Sequence, residues 1–394
     1  TPFNTSQKEK LMIADHNRRS RLCGRKGSLL ISICLVFIAI NASAQIVQPS
    51  VDALTELDQQ VQSHLEEHNI PGGLVAVASR GRIIHLKTYG MANVELAVPV
   101  SDSTVFEIGS ISKQFVSAIV MLLMQENKLK LDDPIQKYLS DLPSEWLGVT
   151  VRQLLTHTSG IPDYEEIRTY DVYRFRLTPE EIIKIAHSRP MDFAPGTGWF
   201  YSNTGYFLLS MIVERIEGHP LGQVLESRIF GPLLMTQTRM ADPEAIIRHR
   251  ASGYWVNKAG ELINRNPTET SSTLGAGGIL SSVYDLTKWD EALYENQLFS
   301  DDSKEAMWAH TILPNGDSTG YAFGWNVRQY KGLRRLSHGG QVAGFVANFA
   351  RFPDEGAAII VFLNRYRVSS SRLSKAVLHT FMPSLGPVPQ QKKD

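Results

Sequence analysis

Short apolar strands at both ends of the chain, with a helical middle between them, limit the folds that this sequence can adopt. Near the N-terminus, strands are predicted at Leu74–Ser79 and Ile83–Tyr89, joined through the turn Arg80–Arg82. Near the C-terminus, four more are predicted, at Gly324–Tyr330, Leu333–Ser337, Val342–Phe352 and Ala357–Asn364. Neighbouring strands without a crossover helix pair in antiparallel fashion. The predicted fold is therefore of the α/β (α+β) class, with one antiparallel sheet built from both chain ends.

Helical periodicity predicts what flanks this sheet. An N-terminal helix is predicted at Val51–Asn69 and a C-terminal helix at Ser370–Phe381. Further helices are predicted at Ile111–Glu126, Asp132–Leu139, Thr150–Thr156, Pro179–His187, Thr204–Glu217, Leu221–Phe230 and Ser282–Tyr294. We therefore predict one domain over residues 45–385, followed by a flexible tail at 386–394. In that domain a mixed lobe (about 45–105 and 275–385) flanks an inserted helical lobe (about 106–274), and the cleft between the lobes is the expected site.

The first 44 residues have the pattern of a secretory signal peptide. A basic stretch from Arg18 to Lys26 precedes the apolar run Leu29–Ile40, and Ala42-Ser43-Ala44 forms a small-residue cleavage site. A run of twelve residues is short for a bilayer span, which favours cleavage after Ala44 over an uncleaved anchor. We expect Met12 to be the start residue and the mature protein to be periplasmic or secreted, without a stable membrane span.

Charge and cysteine content narrow the possible partners. The 394 residues include 40 Lys and Arg and 40 Asp and Glu, which argues against a general nucleic-acid binder. Seven of these basic and two of these acidic residues lie in residues 1–44, so the mature net charge is −5. Both cysteines, Cys23 and Cys34, lie there too, so no disulfide is expected. No metal site or cofactor is predicted; the expected partner is a small-molecule or peptide substrate, and the oligomeric state is left open.

The stretch Phe106–Lys113 offers a candidate nucleophile. Ser110 is predicted at the N-terminus of a helix, and Lys113 follows one turn later on the same face. A serine nucleophile needs a base for its proton and N–H donors for the oxyanion that forms, and a helix N-terminus supplies such donors. A Ser-x-x-Lys pattern alone is short, and Ser110 could equally be a simple helix cap.

Two later stretches provide possible partners. In Tyr201-Ser202-Asn203, the phenol could shuttle a proton and the amide could orient a lysine or a carbonyl, although Asn203 could also be only a helix cap. His338-Gly339-Gly340 follows a predicted strand that ends at Ser337, where glycines permit close backbone approach to a ligand. The N–H of the next residue, Gln341, could join that of Ser110 in an oxyanion hole.

Together and in this order, these stretches resemble the serine β-lactamase and penicillin-binding-protein superfamily. The resemblance covers roughly residues 51–382 and is closest to class C β-lactamases, D-alanyl-D-alanine carboxypeptidases and family VIII esterases. Its further matching stretches are Leu154–Pro162, Pro195-Gly196, Thr204-Gly205-Tyr206 and Gly275-Ala276-Gly277-Gly278. It implies a β-lactamase/transpeptidase-like fold with the serine between its two lobes.

The resemblance also implies roles for the candidate residues. Ser110 would be the acylated nucleophile, Lys113 its base, and Tyr201 the second general acid/base. Asn203 would orient substrate and Lys113, while His338 would stand where many members carry lysine. Gly339, Gly340 and Gln341 would contact substrate.

His338-Gly339 departs from the Lys-Thr-Gly or Lys-Ser-Gly of members that hydrolyse β-lactams. A histidine with an ordinary pKa of about 6.5 is mostly neutral at pH 7, and Gly339 lacks a hydroxyl, so grip on a substrate carboxylate should be weaker. Strand alternation places Arg334 on the same side as His338, and we hypothesise that Arg334 supplies part of the missing charge.

Two further patterns are set aside. Gly316–Gly320 fits Gly-x-Ser-x-Gly around Ser318, but it lacks the preceding strand and following helix that a nucleophile elbow requires. His157 is expected to be a structural hydrogen-bonding residue.

The expected activity is that of an exported serine hydrolase acting on a D-amino-acid peptide or small ester and weakly on β-lactams. A true β-lactamase and a non-catalytic penicillin-binding or sensor module are the alternatives.

Overall fold

A seven-stranded antiparallel sheet forms the centre of the protein. The computed structural model describes residues 45–265 and 269–388. The predicted signal peptide (1–44) and most of the predicted tail (389–394) lie outside these residues. The strands, in chain order, are β1 (Gly72–Ser79), β2 (Arg82–Asn93), β3 (Val98–Pro99), β4 (Phe106–Glu107), β5 (Arg239–Met240), β6 (Tyr254–Val256), β7 (Leu262–Asn264), β8 (Ile279–Ser281), β9 (Asn326–Tyr330), β10 (Leu333–Val342), β11 (Phe345–Phe352) and β12 (Ala357–Leu363). The large sheet has the order β3-β2-β1-β12-β11-β10-β9, and β4-β8-β5 and β6-β7 form two small sheets.

Helices cover both faces of the large sheet. The α-helices are α1 (Val51–Glu67), α2 (Ser112–Gln125), α3 (Val151–Leu155), α4 (Tyr164–Arg168), α5 (Pro179–His187), α6 (Asn203–Glu217), α7 (Leu221–Leu225), α8 (Val283–Ala292), α9 (Asp301–Trp308) and α10 (Ser370–Phe381). The fold is the predicted one, with an antiparallel sheet between terminal helices and with helices between the two groups of strands.

Alternation along the central strands builds two cores. In β1, Leu74 joins the core shared with α2, while Val75 joins the core shared with α1 and α10. In the neighbouring strand β12, Ile360 joins the core shared with α2 and Ile359 joins the core shared with α1 and α10. Since both faces of these strands are covered, their sequences are apolar throughout rather than alternating. Each such buried side chain contributes about 1.5–3 kcal/mol.

Two predicted elements differ in the structure. Asp132–Leu139 contains only a short 3₁₀ turn at Ile135–Lys137, because Pro134 takes an extended conformation and restricts the residue before it. The predicted strand end at Ser337 is wrong, since β10 continues to Val342. The chain reverses instead at Ala343-Gly344, where Gly344 has a φ of 78°.

None of the helices in the described ranges has both the length and the apolar character that crossing a bilayer requires.

Candidate active site

Ser110 lies in a 3₁₀ turn, Gly109–Ile111, that leads directly into α2. Gly109 has a φ of 52°, and a Cβ atom there would come within 2.6 Å of the backbone nitrogen of Gln341. A side chain at this position would therefore be both strained and too close to β10. The two neighbours of Ser110 are buried while Ser110 itself is partly exposed, which leaves its hydroxyl accessible.

Lys113 is fully buried behind Ser110 and donates to three oxygens. Its Nζ lies 3.2 Å from Ser110 Oγ, 2.8 Å from Asn203 Oδ1 and 2.7 Å from the carbonyl oxygen of Ala276. Burial lowers the pKa of Lys113 to about 7, against the opposing effect of the Asp163 and Glu165 carboxylates. Near neutral pH a substantial fraction of the amine is uncharged and can accept the proton of Ser110.

Tyr201 completes the immediate surroundings of the lysine. Its ring centroid lies 4.9 Å from Lys113 Nζ, and its buried hydroxyl has no hydrogen-bond partner among the described residues. Burial raises the pKa of Tyr201 well above its usual value, although Ser110 is close enough to lower it in part. Tyr201 therefore stays protonated and can act as a proton donor.

Two carboxylates accept hydrogen bonds from the side-chain amide of Asn203. Asn203 begins α6, and its Nδ2 donates to Asp163 Oδ2 at 3.1 Å and to Glu165 Oε2 at 2.7 Å, so its oxygen faces Lys113. Burial, with a contribution from the charge of Glu165, raises the pKa of Asp163 to about 7. The sequence predictions missed both acids, although they follow closely after the matching stretch Leu154–Pro162.

His338 lies in the middle of β10 and has partners for both ring nitrogens. Nδ1 lies 2.6 Å from the carbonyl oxygen of Gly339, which can only accept, so Nδ1 carries the proton. Nε2 is then an acceptor, and the hydroxyl of Tyr321 donates to it at 2.9 Å. Burial and the Lys113 charge lower the pKa of His338 to about 3, so the ring is neutral at physiological pH. It cannot supply the positive charge of a lysine.

Tyr321 was not among the sequence candidates. It is 1% exposed and lies beside His157 and Tyr201, with ring centroids 4.5 Å and 6.1 Å away. His157, as expected, has a structural contact: its Nδ1 accepts the N–H of Ser202 at 3.2 Å. Burial lowers the pKa of His157 well below its usual value. The rings of Tyr321 and His157 pack against Tyr201 and fix its position.

One edge of β10 is available to a substrate. Strand β9 pairs with β10 only as far as Ser337, opposite Asn326. We call the segment beyond it, His338–Val342, the free edge. A Cβ atom on Gly340 would overlap the carbonyl oxygen of Ile108, which shows that the 3₁₀ turn of Ser110 lies beside this edge.

The register of the free edge determines which backbone groups face the site. The hairpin to β11 closes at the pair Val342 and Phe345, and backbone groups alternate in direction along a strand. The N–H of Gln341 therefore points away from β11, towards the turn of Ser110. Outside their own elements, neither Ser110 nor Gln341 donates its N–H to a backbone acceptor in the described residues. The geometry allows both to face an oxyanion.

Arg334 is not part of this cluster. It shares a face of β10 with His338, but four residues of strand separate the two by about 13 Å. Its guanidinium lies 5.8 Å from the ring centroid of Trp308. No hydrogen bond joins Ser318 to Ser110, Lys113 or Tyr201 in the described part of the chain. Ser318 contacts His310 in an exposed turn that is neither preceded by a strand nor followed by a helix, so the turn is not a nucleophile elbow.

Among the side chains that the structure describes, no group of three or more His, Cys, Asp or Glu could hold a metal ion.

Comparison with known proteins identifies the family. The family model described as Beta-lactamase matches residues 57–379. The chain belongs to the Beta-lactamase family. Among the relatives of this family member is "Penicillin-binding protein 4*" of Bacillus subtilis, 30% identical over 84% of this chain and 76% of the relative.

Solved structures agree with this assignment. A D-amino acid amidase from Ochrobactrum anthropi, complexed with L-phenylalanine amide, has a TM-score of 0.73 and 26% identity over 84% of this chain and 99% of its own. A penicillin-binding protein homologue from Pyrococcus abyssi has a TM-score of 0.73 and 28% identity over 83% of this chain and 76% of its own. The predicted resemblance is confirmed, and this Beta-lactamase family member is a serine hydrolase.

Proposed function

We propose that this protein cleaves amide or ester bonds through an acyl-enzyme on Ser110. Its substrates would be D-amino-acid peptides or small esters, with weak activity on β-lactams. The observation that carries the proposal is the 3.2 Å contact between Ser110 Oγ and the buried Lys113 Nζ, whose pKa is about 7. A neutral amine at that distance is positioned to remove the serine proton.

The residues suggest a sequence of proton transfers. Uncharged Lys113 accepts the Ser110 proton as Oγ attacks the carbonyl carbon, and the N–H groups of Ser110 and Gln341 hold the oxyanion. Tyr201 donates its proton to the departing amine or alcohol when the carbon–heteroatom bond breaks, and regains a proton from Lys113. A water molecule then attacks the acyl group by the same route in reverse, which releases the acid and restores Ser110.

Two features support a preference for peptides and esters over β-lactams. His338 is neutral and fully engaged with Gly339 and Tyr321, so the free edge has no cation where many family members carry lysine. Gly339 offers no hydroxyl. The names of the similar proteins, a penicillin-binding protein and a D-amino acid amidase, suggest the same substrate classes.

We also propose that the protein is exported, with residues 1–44 removed as a signal peptide. The pattern of basic, apolar and small residues before Gln45 is the support for this proposal. The protein would then act in the periplasm or outside the cell.

Intact mass tests both proposals in one preparation. Full-length protein expressed in an exporting bacterial host should have the mass of a chain that begins at Gln45. After incubation with a fluorescent penicillin, a stable adduct should map to Ser110, and p-nitrophenyl acetate should be turned over rapidly. Ser110→Ala should lower the turnover rate by several orders of magnitude. Ser318→Ala is the matched control, and activity that survives the first substitution but not the second would refute the assignment.

A further inference from the structure

Tyr173 is a buried tyrosine that has no part in the proton transfers described above. It lies in the 3₁₀ turn Thr169–Arg174, is 6% exposed, and its hydroxyl donates to Glu165 Oε2 at 2.6 Å. The same oxygen accepts the Nδ2 of Asn203 at 2.7 Å. Since the amide oxygen of Asn203 accepts from Lys113, Tyr173 lies at the far end of a chain of three hydrogen bonds that leads to the base.

The carboxylate of Glu165 needs such a donor to stay against the amide of Asn203. Glu165 is only half-buried, so water is an alternative partner for its charge. A hydrogen bond from a hydroxyl to a charged oxygen is stronger than one between neutral groups. Tyr173 is itself fixed, because its ring belongs to the buried core. Its hydroxyl therefore favours the conformation of Glu165 that faces Asn203.

Asp163, the other acceptor of the Asn203 amide, fixes the amide less firmly. Its Oδ2 lies 3.1 Å from Asn203 Nδ2, against 2.7 Å for Glu165 Oε2. Burial raises the pKa of Asp163 to about 7, so near neutral pH this side chain carries only part of a negative charge. An amide has one donor end and one acceptor end. If Glu165 turned away, the amide could rotate and present its NH₂ group to Lys113, which would then lose an acceptor.

The backbone of Tyr173 is connected to a second acceptor of the lysine. Its carbonyl oxygen accepts the N–H of Glu269 at 2.7 Å. The chain then continues from Glu269 to Ala276, whose carbonyl oxygen accepts from Lys113 at 2.7 Å. Tyr173 is therefore linked, through its side chain and through its backbone, to both oxygens other than Ser110 Oγ that accept from Lys113 in the described residues.

We propose that Tyr173 is a positioning residue for the catalytic base. Its hydroxyl acts through Glu165 and Asn203, and it fixes the Lys113 amine in the orientation that faces the nucleophile. This inference rests on the proposed function. It makes the 3₁₀ turn that carries Tyr173 necessary for the rate of acylation rather than for binding of the substrate.

Tyr173→Phe tests the proposal, because it removes the hydroxyl and keeps both the ring in the core and the backbone contact with Glu269. Single-turnover kinetics with p-nitrophenyl acetate separate binding of the ester from acylation. The acylation rate constant should fall about tenfold, the lower end of what a hydrogen bond to a charged group contributes. The dissociation constant of the ester should stay unchanged. An unchanged acylation rate constant, or a loss of ester binding alone, would overturn the proposal.

A second substitution shows whether the effect passes through Glu165. In the Glu165→Ala background, Tyr173→Phe should lower acylation no further, since substitutions at two ends of one contact are not additive. Losses that add would contradict the proposal.

Tyr89→Phe is the matched control. Tyr89 is also buried, and its hydroxyl donates to a carboxylate, that of Asp58, at 2.8 Å. Its ring lies in the core shared with α1 and α10. This variant should keep the wild-type acylation rate constant, and an equal loss in both variants would show that only stability is affected. Melting temperatures separate loss of acylation from loss of folding.

The pH profile of acylation gives an independent readout. The titratable side chains around Lys113 in the described residues are those of Asp163, Glu165, Tyr201, Tyr206, His157 and His338. The two carboxylates raise the pKa of Lys113, whereas the tyrosines are protonated and the imidazoles neutral. A Glu165 that turns towards water therefore lowers the pKa of Lys113. The rising limb of the profile should move to lower pH by about one unit in Tyr173→Phe. An unchanged midpoint would contradict the proposal.

Failure of the proposed function gives a different result, because the wild-type protein itself would not be acetylated. Lys113 can then be titrated directly by NMR, in protein labelled with ¹³C at the lysine Cε atoms. A midpoint that is lower in Tyr173→Phe but not in Tyr89→Phe would support the positioning role, and equal midpoints in all three proteins would contradict it.

Discussion

Removal of the two carboxylates behind Asn203 should shift the pH dependence of catalysis to lower pH. Lys113 acts as a base only when uncharged, and its uncharged fraction grows as the pH rises through its pKa of about 7. The wild-type kcat/KM should therefore rise with pH and level off above about pH 8. Asp163 and Glu165 both raise the pKa of Lys113. The double variant Asp163→Asn, Glu165→Gln removes these charges while keeping side chains of similar shape.

The size of the shift follows from the geometry. Lys113 Nζ lies 2.8 Å from Asn203 Oδ1, and Asn203 Nδ2 lies 2.7 Å from Glu165 Oε2 and 3.1 Å from Asp163 Oδ2. Two hydrogen bonds and the amide between them put each carboxylate about 7 Å from the amine. At an effective dielectric of about 20, one such charge contributes about 2 kcal/mol, or about 1.5 pKa units.

Asp163 contributes less than a full charge near neutral pH, because its own pKa is about 7. The pKa of Lys113 in the double variant should then fall by about two units in total. At pH 6 the uncharged fraction of Lys113 would rise from about one tenth to about nine tenths. The maximal rate should also fall, since a weaker base removes the serine proton less readily.

The assay is the pH profile of kcat/KM between pH 4.5 and 9 for a neutral ester without ionisable groups. Glu166→Gln is the control, because Glu166 is exposed, pairs with Arg189 at 3.8 Å and should leave the profile unchanged. If the double variant keeps its midpoint at about pH 7 while folded, the rising limb does not report Lys113, and the base assignment fails.

Two other substitutions test the packing around the site. Gly340→Ala places a methyl group into the carbonyl oxygen of Ile108 and should destabilise the fold by at least about 1–3 kcal/mol. Gly339→Ala is the control, because a methyl group has room there and should not destabilise the fold. Denaturant unfolding compares the free energies of unfolding of the two variants. Tyr321→Phe leaves the buried Nε2 of His338 without its donor and should cost about 1–3 kcal/mol. An unfolding midpoint equal to that of the wild type would exclude a structural role for this hydrogen bond.

The sheet was predictable because its strands are encoded locally. The central strands β1 and β12 are apolar runs of the right length, and both were found within about two residues of their observed bounds. The predicted end of β10 failed for a physical reason. Two consecutive glycines usually mark a turn, but Gly339 and Gly340 remain paired with Asn348 and Ala347 inside the sheet. Glycine is needed at position 340 because the backbone of Ile108 approaches it.

Only those site residues that belong to a short sequence motif could be predicted. Ser110 and Lys113 are one turn apart in sequence, so helical geometry alone places them together. Tyr321 is 17 residues from His338, and Asp163 is 40 from Asn203. Contacts at such separations depend on tertiary packing, which local patterns do not encode. Strand alternation put Arg334 on the same face as His338, but the pattern alone does not show that the Arg334 guanidinium packs on Trp308.

The pairing of β1 with β12 has a consequence for the order in which the enzyme forms. Residues 73–79 emerge from the ribosome early, yet their central partner, residues 357–363, is made almost 300 residues later. Contacts so distant in sequence slow folding, and apolar strands that wait for partners are prone to aggregate. The nucleophile is synthesised before β10, which supplies the free edge. A nascent chain therefore carries Ser110 but no oxyanion donor from Gln341, and it stays inert until the last strands are in place.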